Sequence, residues 1–399
     1  VILRLPEAAK QAALAGFAVI ALLFPQALPV LLGLVVLSQI VAAVAEGGRR
    51  GLLTLGAWGR LRPALLLFLV PILALALVPW AEWPGLSAGR AGRLVGELLL
   101  ALALAGIALA VPSDEAVRRA RAVTVGLGVG AGLAVADLAS QGLLTGFLRG
   151  QPVDVITYGR SAVLAALTAV PILLAAPFPL LRRVFLAVPG IVLAAISANL
   201  AAKLLVPVAV VAALVGLWRW GPVVIALAVS SAIALPALLP VALTPAQECV
   251  LWAGKPSAAH RLLIWTYADG LIDQRPWSGW GLDAARRLGA AAPDAPVPEC
   301  ARSALGRDSV PLLPLHPHNG ALQLWLELGA LGALVLPLLL LTSSRTLMLL
   351  PTVARATGSA ALAGGMVPLL VSFGLWQGWW LAGLSVFWGM MLLYFSRRS

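Results

Sequence analysis

Two of the chain's three histidines sit in one tight turn, Leu315-His316-Pro317-His318-Asn319-Gly320, just before an apolar run. Histidine titrates near neutrality, so an imidazole stationed at the edge of an apolar segment suits proton transfer to or from a reacting hydroxyl. A plainer reading stands beside it: a helix begins here, and His318 or Asn319 caps its free N–H groups. If the helix is regular, Leu322, Trp325, Gly329 and Gly332 lie within about 40° of the His318 direction, and Glu327 points about 180° away. Gly329 and Gly332 would then form a smooth strip for a neighbouring helix or a lipid chain. Glu327 would pair with another helix or with a basic group elsewhere.

The candidate cations lie apart from this turn in sequence. Arg261 opens an amphipathic stretch, Arg261-Leu-Leu-Ile-Trp265, that runs to about Asp273. It is followed by a Gly/Pro-rich turn, Arg275-Pro276-Trp277-Ser278-Gly279-Trp280-Gly281, and by a short helix with Arg286 and Arg287. These helices read as lying on a membrane surface, apolar side down. Arg160 begins an apolar span, where it either snorkels outward or serves a site. Lys203 sits just inside another span, and intramembrane cations are by default functional candidates. His260 reads as a solvated loop residue. Arg93 and Glu97 read as an i,i+4 ion pair. Asp137 either steers a basic group or is structural.

Composition dictates what positions these residues. The 399-residue chain is 61% hydrophobic and 11% charged, with mean hydropathy +0.97. This is the composition of an all-α polytopic membrane protein. Apolar runs long enough to span number twelve: 10–24, 27–45, 61–79, 93–111, 119–139, 160–177, 183–198, 201–217, 222–240, 319–341, 357–375 and 379–396. The first span reads as retained rather than cleaved. Sixteen basic residues fall in one set of loops and five (Arg90, Arg93, Arg149, Arg160, Lys203) on the other side. The positive-inside rule therefore puts both termini in the cytoplasm. The remaining seven basic residues lie in segment 241–318, balanced by seven acids, so that segment is a large extracytoplasmic loop. The expected organisation is nine spans over 1–240, the loop with short amphipathic helices over 241–318, and three spans over 319–399. Both cysteines, Cys249 and Cys300, lie in the loop, where an oxidising compartment would allow a disulfide. Trp80, Trp83, Trp376, Trp379 and Trp380 read as an interfacial aromatic belt. The +12 charge reflects loop asymmetry; no Lys/Arg run with interleaved aromatics suggests nucleic acid.

The order His318-Asn319, nine residues, Gly329-Ala-Leu-Gly332 resembles the signature of bacterial O-antigen ligases, and it falls at the end of the large loop as in that family. The Arg261…Trp265…Pro276…Gly279-Trp280-Gly281 run resembles the wider O-antigen ligase/polymerase superfamily. The useful resemblance covers roughly 150–345. It implies a GT-C-like membrane glycosyltransferase of the bacterial inner membrane, working without metal or other cofactor on the periplasmic side. The implied partners are an undecaprenyl-diphosphate-linked glycan as donor, lipid A-core as acceptor, and membrane lipids. Carried over residue by residue, the family's histidine falls on His318, its loop arginine on Arg261 and its membrane-embedded arginine on Arg160. The chain departs from the family at Ser197-Ala-Asn199-Leu-Ala-Ala-Lys203, where many members have a Ser-Arg pair; the arginine is absent or replaced by Lys203.

The implied chemistry needs these residue types. Cleaving a sugar–diphosphate bond develops anionic charge that arginine forks can meet, and a neutral acceptor hydroxyl needs a base such as His318. Arg160, Arg261 and Lys203 are thus the expected diphosphate ligands, and His316 and Asn319 lesser candidates for substrate contact. The cysteines read as a staple, and no His/Cys/Asp grouping has metal-ligand spacing. The same donor chemistry serves an O-antigen polymerase or a protein O-oligosaccharyltransferase. A transporter would instead need an internal repeat and mid-bilayer charges, and neither stands out in the sequence.

Overall fold

The computed structural model describes residues 7–45, 64–150, 158–234, 244–306 and 308–395. It is helical throughout apart from one two-stranded antiparallel pair, Asp294–Pro296 with Ser309–Pro311, in register Ala295 opposite Val310.

Among the described residues, five helices are long and apolar enough to cross a membrane: Pro84–Ala110, Ser113–Ala139, Tyr158–Ala175, Thr352–Val371 and Gly378–Phe395. The number rises to seven if two bent pairs each count as one span. The expected count of twelve is therefore not reached by length and apolarity alone. Leu66–Ala76, Leu200–Val215 and Gly221–Ala234 are apolar but shorter, and part of the expected 222–240 span lies outside the described residues. Expected spans 10–24 and 27–45 meet at a 117° bend.

The single span expected over 319–341 is instead two helices, Gly320–Ala333 and Val335–Met348, bent by 64°. The first is itself interrupted at Gly329, whose φ 64°, ψ −161° is a backbone conformation essentially confined to glycine. The sequence shows an unbroken apolar run there, and periodicity carries no mark of a break made by tertiary contact.

Small residues bring the helices close. A Cβ on Gly126 would lie 2.2 Å from the Ala15 carbonyl oxygen, so Ser113–Ala139 packs backbone to backbone on Glu7–Leu23. Tyr158–Ala175 is the most enclosed of the five long helices. Buried Thr124 and Tyr394 pair across the core, Thr124 Oγ1 lying 2.6 Å from Tyr394 Oη.

The loop between the two helical blocks is a folded layer. Pro256–Gln274 buries Ile264, Ala268 and Ile272. Ile264 and Ile272 join Leu288, Leu313, Leu322 and Leu326 in one apolar cluster. That helix therefore turns its apolar side onto the protein, not onto a membrane surface as its amphipathicity suggested. Cys249 and Cys300 are disulfide-bonded, with Cα atoms 5.9 Å apart. They join the helices Pro245–Gly254 and Glu299–Leu305.

Two further expectations change. Arg93 is exposed, and the partner of Glu97 is Arg90, at 3.1 Å. The buried Arg90 also donates to the Trp376 carbonyl at 2.5 Å. A separation of seven is two helical turns, so both side chains share a face. Asp137 is structural: it accepts from the backbone N–H of Leu144 at 2.8 Å and from Tyr158 Oη at 2.6 Å, tying one helix end to the next two segments.

Candidate functional site

His318 is not the first residue of a regular helix. Its φ is +53°, a left-handed conformation that histidine adopts only occasionally. The helix start falls to Asn319, whose Oδ1 accepts from Ala321 N at 2.9 Å and Leu322 N at 3.2 Å. Asn319 is thus the cap, and the His318 ring is released from capping. The projection of His318 onto the face of Gly329 and Gly332 accordingly fails, because the two segments do not share one helical frame.

The His318 ring is held by a segment far along the chain. Its Nδ1 lies 2.7 Å from the Ser372 carbonyl oxygen. A carbonyl only accepts, so Nδ1 carries the proton and Nε2 keeps its lone pair. The backbone N–H of His318 donates to His316 Nδ1 at 3.1 Å, and the two rings are 4.3 Å apart at 60°. The preceding carbonyl, Pro317, accepts from Trp265 Nε1 at 3.0 Å. His260 is a half-buried residue of the helix Pro256–Gln274 rather than of a loop, its Nε2 2.8 Å from the Pro311 carbonyl oxygen.

Burial lowers the pKa of His318 most, and the nearby charges of Arg261 and His260 lower it further against the raising effect of the Ser372 bond. Burial pushes His316 down to about 3, helped by His318 and Arg286. Both rings are therefore neutral at pH 7, the state a general base requires. Arg261 is half-buried, its Nε has no hydrogen-bond partner among the described residues, and burial works against its charge. A buried, unsatisfied cationic donor is costly unless a ligand meets it.

A string of contacts runs from the histidines to Arg160. Gln377 Nε2 lies 3.2 Å from His316 Nε2, and Gln377 Oε1 accepts from Trp379 Nε1 at 2.9 Å. The Arg160 guanidinium carbon sits 5.6 Å from the centre of the Trp379 ring, a cation–π contact. Lys203 is brought only to the same end of the fold: a Cβ on Gly159 would lie 3.2 Å from the Asn199 side chain, and Asn199 caps the Leu200–Val215 helix that carries exposed Lys203. The structure thus brings Arg261 near the pair His318 and His316, joins Arg160 to them through Trp379 and Gln377, and gives Lys203 no contact with them among the described residues.

Residues 154–336 match a family model described as O-antigen ligase. That stretch carries the family's sequence pattern. It includes Arg160, Arg261, His318 and the Gly329–Gly332 signature. Proteins named "Putative polysaccharide ligase" are similar: one from Rickettsia prowazekii is 32% identical over 142 residues, 35% of this chain and 33% of its own length. One from Rickettsia typhi is 33% identical over 145 residues, 35% and 33% of the two chains, and one from Rickettsia conorii 30% over 142 residues, 35% and 32%. The matched stretch spans about a third of each relative.

Gly329 and Gly279, one from each of the two runs singled out in the sequence, have a physical reason here. A Cβ on Gly329 would fall 2.3 Å from the Trp277 backbone, and one on Gly279, with φ +66°, 2.4 Å from that of Glu327. The turn 275–281 is pressed onto the helix at its break, with Trp280 N–H on Leu326 O and Ala330 N–H on Pro276 O. At Gly329 the neighbour expected to approach closely is thus the protein's own 275–281 backbone. Beside it, fully buried Glu327 accepts from Asp283 N at 2.7 Å, Trp376 Nε1 at 2.6 Å and Gln323 Nε2 at 3.0 Å. Its partners are neutral donors on its own helix and on two other segments, so of the two expected alternatives the basic group is not the one found.

The Ser372–Gln377 turn, absent from the sequence-derived site, touches both of its histidines. Besides Ser372, Trp376 and Gln377, its Leu375 N–H donates to Gln323 Oε1 at 2.9 Å. A Cβ on Gly374 would lie 2.9 Å from the His316 ring. Trp376, Trp379 and Trp380 are consequently site and core residues, and Trp80, 63% exposed, alone keeps the character expected of a belt. The aromatic crowding of 376–380 was the only sequence signal.

Proposed function

We propose that the chain is an O-antigen ligase. It transfers a polysaccharide from undecaprenyl diphosphate to a sugar hydroxyl of lipid A-core at the periplasmic face of the inner membrane, both termini being cytoplasmic. In this reaction the acceptor oxygen attacks the anomeric carbon from the face opposite the diphosphate, inverting it. His318 Nε2 takes the hydroxyl proton, and the bond to the diphosphate breaks with its electron pair leaving on the phosphate oxygen. Arg261 and Arg160 meet that charge, and Lys203 lies where it could reach an outlying phosphate. No cofactor enters the scheme.

One observation carries the reading. The Ser372 carbonyl fixes the proton on His318 Nδ1, leaving Nε2 as a neutral acceptor near enough to half-buried Arg261 to feel its charge, and the Arg261 Nε has no partner among the described residues. The O-antigen ligase match over 154–336 supports the donor class.

The test is reconstitution of the purified protein with an undecaprenyl-diphosphate-linked glycan and one of three acceptors: lipid A-core, a second lipid-linked glycan or a protein. Product on lipid A-core, lost in His318→Ala with donor binding retained, is expected. Product only on the second glycan or the protein would make the chain a polymerase or an O-oligosaccharyltransferase. Full activity of His318→Ala would remove the base assignment.

A further inference from the structure

Gln377 lies outside the matched stretch 154–336, yet its side chain touches both halves of the site. Its amide faces His316 Nε2 at 3.2 Å on one side and Trp379 Nε1 at 2.9 Å on the other. Trp379 is the ring beneath Arg160, and His316 is the ring that lies tilted against His318 and accepts its backbone N–H. We propose that Gln377 is a positioning residue wedged between His316 and Trp379, its one amide oxygen holding one of the two N–H groups and its side chain packing against the other ring, so that the base's neighbour and the ring beneath the diphosphate arginine are set by one residue. The proposal rests on the reading of His318 as the base.

The hydrogen-bond chemistry sharpens this. Neutral His316 has one lone pair, and the His318 N–H occupies it at Nδ1. Its Nε2 therefore carries a proton and needs an acceptor, as does the Trp379 N–H. An amide has one oxygen to give, and which of its two ends is oxygen is a matter of hydrogen-bond assignment. A carboxylate at position 377 would offer an oxygen to each. Other charges facing the histidine pair are Arg261 and His260, on Pro256–Gln274, and Arg286, on Ala285–Ala291. All of them are cationic when charged, so an added anion would stand out against them.

With only three histidines in the chain, nitrogen-15 histidine labelling resolves each ring by NMR in detergent or nanodiscs. In the wild type, His318 should show a single tautomer protonated at Nδ1. Gln377→Glu should raise the His316 titration by about one unit or more, as a carboxylate within hydrogen-bonding distance does. Gln377→Ala should shift the His316 ring resonances and titration while His318 stays protonated at Nδ1 through the Ser372 carbonyl, and in the transfer assay should lower kcat by about 10–100-fold while raising KM for the lipid-linked donor. Gln377→Glu should restore part of that kcat. Histidine spectra and titrations identical to wild type in both variants would overturn the proposal. The spectra do not depend on activity, so this outcome is separable from a failed base assignment, which only His318→Ala reports.

Discussion

His318 Nδ1 and the Ser372 carbonyl oxygen, 54 residues apart in sequence, lie 2.7 Å from one another. The bond fixes the tautomer and aim of a ring whose own backbone is left-handed. It also places the turn after Thr352–Val371 in direct control of the candidate base.

The pH dependence of transfer follows from the groups around that ring. Burial first, and then the charges of Arg261 and His260, hold the His318 pKa below its ordinary value of 6.5. The neutral, active form is therefore complete at pH 7. The rate should stay level as pH falls through 6.5 and drop only at a lower, depressed pKa. Removing the positive charge in Arg261→Ala should move that acid limb toward higher pH, besides lowering kcat by about 10²–10³-fold through the lost anion contact. Arg261→Lys should keep the limb in place but recover little rate, because an ammonium lacks the two-pronged fork. Profiles of kcat/KM against pH for the three proteins decide it. An acid limb in Arg261→Ala at the wild-type position would refute the electrostatic account.

Glu327 is expected to govern stability more than chemistry. Glu327→Ala would leave the Trp376 N–H, the Asp283 N–H and the Gln323 amide without their shared acceptor. Each buried donor so stranded costs about 1–3 kcal/mol unless water enters. A drop of several degrees in Tm in detergent should result, with Glu327→Gln intermediate. Since Trp376 belongs to the turn that holds His318, activity should fall in step with the loss of fold. An unchanged Tm in Glu327→Ala would show that the carboxylate is dispensable to the latch.

What the sequence disclosed was local or chemical. His318 stood out by residue type, Asn319 by its place at a helix start, and Arg261 by its stretch of loop. What it hid was carried by backbone. Ser372, Leu375 and Trp376 act on the site partly through main-chain groups, and a carbonyl or N–H is the same in every residue. The break at Gly329 was hidden for a related reason: an apolar run looks alike whether straight or interrupted, and the interruption comes from the 275–281 turn pressing on it. Arg93 was preferred to Arg90 because four residues is the usual helical pair spacing. Arg90 prevails because it also reaches the Trp376 carbonyl.

That interruption makes Gly329 and Gly279 the most sensitive small residues of the signature region. Each has positive φ, and each would drive a Cβ into the other's segment. Alanine at either position combines backbone strain of about 1–3 kcal/mol with displacement of main chain that no rotamer change can relieve. Gly329→Ala and Gly279→Ala should therefore yield poorly expressed or markedly less stable protein. By contrast, Gly132→Ala, which would meet nothing within 4 Å, should be neutral. Melting curves of the three variants provide the comparison, and equal stability of all three would contradict the close approach.

The Cys249–Cys300 bond should stabilise the loop layer without taking part in transfer. It closes a sequence separation of 51, for which the chain-entropy account gives about 4 kcal/mol, an upper figure where the reduced loop retains structure. The bonded helices pack in a small cluster of Trp252, Ala259, Val297, Ala301 and Val310, while His318 is held from the other side by Trp265 and Ser372. Reduction should thus lower Tm and increase proteolysis within 244–306 while leaving kcat at moderate temperature within about twofold. Cys249→Ser with Cys300→Ser should behave as the reduced protein does. Intact-mass analysis after alkylation, with and without reductant, checks the pairing itself: two alkylated thiols in the native, unreduced protein would rule the bond out.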